Sequence, residues 1–161
     1  MRIISFSFSK GNVCYCICNN DKIEHWDLIE YKEDNYHDLT KKIIQKLNSI
    51  RTLYDNVDVV LIDKHKRKLD EVEVMIYTYF RILKMELEIK FINTKIKISL
   101  PEGIDIDIPD KYKMKGSLAV AYCDYYIIGT EWENYYNGFS KKDDIAQSYI
   151  QVLQFISQKN K

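Results

Sequence analysis

The stretch "RIISFSFSKGNVCYCI" (residues 2–17) decides the fold. Residues 2–8 and 13–18 are apolar or alternating runs of β-formers, and the "KGN" between them supplies a turn in which Gly11 can take positive φ. A second turn, "NND" at 19–21, leads into "KIEHWDLIEY" at 22–31, whose alternation reads as a third strand. Three strands joined by such short turns predict an antiparallel meander. The first strand also carries a chemical puzzle, because Ser7, with Ser9 two residues on, stands at its end, where a buried strand delivers a side chain to a site.

Beyond the meander, Tyr36, Leu39, Ile43, Leu47 and Ile50 recur at helical spacing with Lys41, Lys42 and Lys46 off the stripe, predicting a helix over 36–52. "VDVVLID" at 57–63 is the short continuous apolar run of a strand covered on both faces, and it ends on Asp63. Residues 70–84 follow as a helix with acids in its first turn and bases in its last, and 86–92 as a further strand. The stretch 99–112 holds both prolines and Gly103 and reads as a loop, 113–128 reads as helical, and "WENYYNGF" leads through Gly138 to a final helix. That helix buries Ile145, Tyr149, Val152, Leu153 and Ile156, with Asp144, Gln147 and Gln151 on the adjacent face.

The order β-β-β-α-β-α-β-α-α predicts one α/β domain over residues 1–161: a mixed sheet with helices on both faces, the meander followed by parallel strands through right-handed crossovers, as in the ribonuclease H-like fold. Such a fold brings the end of the first strand, the end of the fourth and the start of the last helix together. Those places carry Ser7, Asp63 and the Asp143–Asp144 pair.

Composition bounds the function. With 161 residues, 46% hydrophobic and 30% charged, the chain can bury a core. Lys plus Arg equals Asp plus Glu at 24 each, so no global field draws in polyanions and any nucleic-acid contact must be local. No membrane span or secretory signal is visible, which predicts an intracellular protein without membrane contact. Cys14, Cys16 and Cys18 alternate along one strand, with Cys123 elsewhere; reduced core cysteines are the expected reading and a CxCxC zinc site the alternative.

The motifs resemble the RuvC-like Holliday-junction resolvases of poxviruses and other large DNA viruses, relatives of the fungal mitochondrial enzymes. "FSFSKGNVCYCI" is similar to the family's first strand and turn, "EHWDLIEY" to its third strand, and "VVLIDKH" with "VEVMIYTYF" to the strand and helix around its catalytic glutamate. "KYKMKGSLAV" resembles a basic segment, and "SKKDDIAQSYIQVLQFI" resembles the Lys-Lys-Asp-Asp helix. The resemblance implies four carboxylates holding two Mg²⁺ ions for in-line hydrolysis of a phosphodiester. Carried over by position, the first aspartate falls on Ser7, the glutamate on Asp63, the third acid on Asp144 with Asp143 beside it, and the fourth on Gln147. The glycine after the first acid is Ser9, the Gln-Pro pair is His65 and Lys66, and the phosphate-contacting lysine pair is Gly116 and Ser117.

A hydroxyl or carboxamide offers a metal an oxygen but no charge, and each lost carboxylate is worth several kcal/mol to a bound cation. The expectation is therefore a degenerate resolvase homologue, not an enzyme and without cofactor, serving as a binding or structural subunit in viral DNA replication, transcription or genome processing. Viral protein partners, a homodimer through helix 70–84 and residence in the host cytoplasm accompany it. Two alternatives stay open. One is an active endonuclease using Mg²⁺ or Mn²⁺ on Asp63, Asp144 and Asp143, with Glu102, Asp105 or Asp107 from the loop. The other is branched-DNA binding without cleavage, through Lys64, Lys66, Arg67, Lys68, Lys111, Lys113 and Lys115.

Overall fold

The computed structural model describes residues 1–9, 11–31, 35–64, 71–92 and 115–160, with side chains from 118 onward in the last stretch. The meander forms as expected: β1 (Arg2–Ser9), β2 (Asn12–Asn19) and β3 (Lys22–Glu30) pair antiparallel, with Ser7 opposite Cys14 and Cys16 opposite Trp26. Gly11 sits at φ 88°, and a Cβ there would meet the Tyr31 carbonyl at 3.2 Å, so the first turn needs glycine for both reasons. In the second turn Asn20 takes φ 54°, which asparagine tolerates better than most residues.

The fourth strand, β4 (Val59–Asp63), enters parallel to β1 and is buried along its whole length, and β5 (Glu88–Ile92) adds parallel to β4. The sheet order is β3-β2-β1-β4-β5. One face is covered by α1 (Tyr36–Ser49), α2 (Arg51–Tyr54) and α3 (Glu71–Leu83), packed on Ile4, Phe6, Tyr15, Val60 and Ile62. The opposite face is covered by α4 (Lys115–Ile127), α5 (Trp132–Asn137) and α6 (Lys142–Lys159), packed on Ile3, Cys16, Trp26, Val59 and Leu61. This is the mixed sheet with helices on both faces that the element order predicts. Among the described residues, no helix is long and apolar enough to cross a membrane.

Two local features depart from expectation. The helix expected over 36–52 breaks at Ile50 (φ −103°, ψ 10°), and the hydroxyl of Tyr54 donates to the Leu47 carbonyl at 2.8 Å, satisfying an acceptor the break releases. "WENYYN", read as a connection, is the short helix α5, held to the sheet by the Trp132 indole donating to the Ile23 carbonyl at 3.1 Å. The expected loop 99–112 lies outside the described residues.

All four cysteines are buried free thiols on the α6 side of the sheet. A register shift between Ile17 and Cys18 accompanies a Cys16–Cys18 Sγ separation of 3.5 Å. Burial pushes the thiols of Cys14, Cys16 and Cys123 up, that of Cys14 to about 12, so they pack as small apolar groups.

Candidate functional site

Strand alternation sends Ile4 and Phe6 to one core while Ser5, Ser7 and Ser9 face α6. Each serine finds a partner there. The Ser5 hydroxyl donates to Oε1 of Gln151 at 2.7 Å, the Ser7 hydroxyl to the backbone carbonyl of Asp144 at 2.8 Å, and the Ser9 hydroxyl to Oδ2 of Asp144 at 2.7 Å. Three residues at a strand's period of two therefore meet a helix whose facing positions recur about every seven residues, here Asp144 and Gln151.

Asp144 lies in the first turn of α6, where the helix dipole favours a carboxylate. The turn is fixed from the other side by Trp26, whose indole N–H reaches both the Ile145 carbonyl and Ser148 Oγ at 3.0 Å, beneath a parallel Tyr136 ring 5.3 Å away. Cys14, opposite Ser7 in the sheet, is 1% exposed; after burial, the nearby charges of Asp144 and Asp27 also raise its thiol, against a lowering contact from Ser7.

Asp63 ends β4 at 6% exposure. The last β1–β4 pair is Phe6 with Ile62, so one step further along parallel strands sets Asp63 beside Ser7, on the face of Leu61 and the α6 core. The structure thus gathers Ser7, Asp63 and Asp144 at one corner of the sheet. Gln147, one turn along α6, is half-buried, whereas Asp143 is exposed on the helix's outer side. Among the described residues, no three His, Cys, Asp or Glu side chains group so as to hold a metal ion.

The basic positions are less complete. Lys64 is exposed just past β4, its backbone N–H donating to the Ile92 carbonyl at 2.9 Å. Lys66, Arg67, Lys68, Lys111 and Lys113 lie outside the described residues, as do the loop acids Glu102, Asp105 and Asp107 and the histidine His65. Lys115, Gly116 and Ser117 open α4, and their side chains are also outside the described set.

Sequence reasoning missed the Ser5–Gln151 bond and the anchoring role of Trp26. The signal for the first was present: Ser5-x-Ser7-x-Ser9 has the period of a strand face, and Asp144 and Gln151 share a helix face. Nothing local linked Trp26 to Ser148, 122 residues away.

No family model and no curated protein matches the chain. Solved structures do. The fowlpox virus resolvase in complex with its substrate Holliday junction DNA matches with a TM-score of 0.68 and 18% identity, over 100% of both chains. The yeast mitochondrial Holliday junction resolvase gives 0.61 and 14%, over 99% of this chain and 80% of its own. T. thermophilus RuvC, also in complex with a Holliday junction substrate, gives 0.53 and 8%, over 99% and 96%. Element order, sheet topology and these matches agree: the chain has the ribonuclease H-like fold of the Holliday-junction resolvases.

Proposed function

We propose that this protein is a resolvase-fold subunit that binds branched DNA without cutting it, within the DNA replication, transcription or genome-processing machinery of a large DNA virus. The carrying observation is the serine clasp on α6. Ser7, at the position of the family's first acid, spends its hydroxyl proton on the Asp144 carbonyl, and Ser9 spends its own on the Asp144 carboxylate. With a neutral Ser7 and a neutral Gln147, the donor set does not fit a two-cation centre, which needs carboxylates to neutralise the ions and leave oxygens free to bind them. Binding then rests on Lys64 and on the basic residues Lys66, Arg67 and Lys68 that follow it in the sequence, with Lys111, Lys113 and Lys115.

Support for a DNA partner comes from the fowlpox virus and T. thermophilus neighbours, each in complex with a Holliday junction. The viral setting, and with it the host cytoplasm, rests on the fowlpox likeness. Self-association through α3 belongs to the same reading: Val74 is 43% and Ile82 76% exposed, Tyr36 of α1 lines the same groove and is also exposed, and Met85 just beyond α3 adds a further exposed apolar side chain.

A reduced active site is the second reading, favoured by Asp63 and Asp144 sharing one corner. One gel separates the two. Labelled four-way junction and linear duplex are mixed with purified protein at low salt, with and without Mg²⁺ or Mn²⁺. A shifted, intact junction in every lane is expected. Metal-dependent symmetric cleavage that Asp63→Asn abolishes would overturn the proposal, as would failure to shift the junction.

A further inference from the structure

Beside the serine clasp lies a cavity of about 280 Å³, between the β1–β2 turn, the end of β3 and the approach to α6. That volume is just under the roughly 300–1,000 Å³ typical of small-ligand sites, room enough for one flat ring system. Its lining includes the aromatic residues Tyr31 and Phe139, the polar residues Asn12, Glu30 and Ser140, and the exposed Lys141. Tyr31 is held in place by its hydroxyl donating to the Ser9 carbonyl at 3.3 Å. Phe139 ends an edge-to-face series of rings, Trp132 to Tyr135 at 5.7 Å and Tyr135 to Phe139 at 5.0 Å, which fixes its plane.

The lining selects among ligands. Among the described lining residues, Glu30 and Asp144 set two carboxylates against one ammonium, that of Lys141, a balance that disfavours a bare anion. It suits a neutral aromatic ring with amino groups on its edge, for which carboxylate, carboxamide and hydroxyl oxygens are acceptors. A negative group attached to that ring would sit outside, at the exposed ammonium of Lys141. A ring with amino edge and a tethered anion describes a nucleotide.

We propose that this cavity takes a single unpaired nucleobase of branched DNA, stacked on Phe139, its amino edge on Glu30 and its phosphate at Lys141. The inference rests on the DNA-binding reading and sharpens it: the protein would distinguish branched from linear DNA by holding a base that leaves its pair at the branch point, where stacking is interrupted and unpairing costs least.

The test compares, by fluorescence anisotropy, duplexes carrying one unpaired adenosine, one unpaired abasic residue, or none. Stacking of one base on one aromatic ring predicts a preference for the adenosine over the abasic duplex of about 5- to 150-fold. Phe139→Ala removes that preference, and Phe139→Leu, which keeps the apolar packing and is checked by its melting temperature, removes most of it. Glu30→Gln narrows the margin of adenosine over thymidine at the unpaired position. Equal affinity of the native protein for the adenosine and abasic duplexes overturns the inference while leaving the function proposal standing, and would leave the cavity to a cationic side chain of a protein partner. No binding to any of the three, nor to a four-way junction, overturns both.

Discussion

Ser7→Asp, which supplies the acid that the resemblance to the resolvases leads one to expect at this position, puts a number on the clasp. Ser7 is 2% exposed, and its oxygen lies 2.8 Å from the Asp144 carbonyl as a donor. A carboxylate there can only accept, so it would face that carbonyl with no proton to share, next to the charges of Asp144 and Asp63. The cheapest response is to take up a proton, after which the acid donates as the serine did. The cost of that uptake, from an ordinary aspartate pKa of about 3.9, is about 4 kcal/mol at pH 7 and about 1.5 kcal/mol at pH 5. The sign follows from linkage: the folded pKa is raised above the unfolded one, so the penalty is absent below about pH 4 and grows as pH rises. For a chain of this size, about 2–4 °C per kcal/mol converts this to a melting point lower by about 8–16 °C at pH 7 and about 3–6 °C at pH 5. Ser7→Asn, of equal size and no charge, measures the packing part alone. Thermal melts of the three proteins without divalent ions, at pH 5 and 7, decide it. A Ser7→Asp deficit that does not change with pH would refute the charge argument, and a melting point raised selectively by millimolar Mn²⁺ would show that one acid suffices to rebuild a cation site.

Three further outcomes are expected. Trp26→Phe keeps the stacked ring but removes the N–H shared by the Ile145 carbonyl and Ser148 Oγ, which should cost about 1–3 kcal/mol in a urea titration. Burial raises Cys14 to about 12 and pushes the Cys16 and Cys123 thiols and the Tyr54, Tyr136 and Tyr149 hydroxyls up as well; stability is therefore whole below about pH 8.5 and falls as pH climbs toward 12, read as a denaturant midpoint declining between pH 8 and 10.5, with thiol reagents blocked at pH 8 until the chain unfolds. Ile82→Asp, at a side chain 76% exposed, should leave the melting point of the isolated chain within about a degree or two while converting the proposed α3-paired dimer to monomer in light scattering; an unchanged mass would remove that interface.

The sheet was legible because its signals are local. Alternation in β1 sorts Ile4 and Phe6 from Ser5 and Ser7, Gly11 marks a turn only glycine closes well, and the unbroken run Val59–Asp63 announces a strand buried on both faces. The same locality explains the misses. Ile50 keeps the helical stripe that predicts 36–52, yet it breaks the helix where Tyr54 captures a carbonyl. "WENYYN" differs, because its signal was local: Thr130-x-x-Glu133 has capping-box spacing, Thr130 Oγ1 accepts from the Trp132 N–H at 3.3 Å and Glu133 Oε2 from the Gly129 N–H at 2.8 Å, and Trp132 then docks on β3.

For the site, the sequence by itself determined which residue types stand at the strand ends and helix start: Ser7, Asp63, Asp143 and Asp144. Only the tertiary structure decided which of them meet. Successive helix residues point about 100° apart, so whether Asp143 or Asp144 faces the sheet depends on how α6 docks, and docking is set by contacts such as Trp26 with Ser148 that span most of the chain. Once α6 is seated, Asp144 accepts from Ser9 and Ser7 while Asp143 is left exposed. Patterns of period two or 3.6 are written within a few residues; partnerships across more than a hundred residues are chosen by the packing of the whole core.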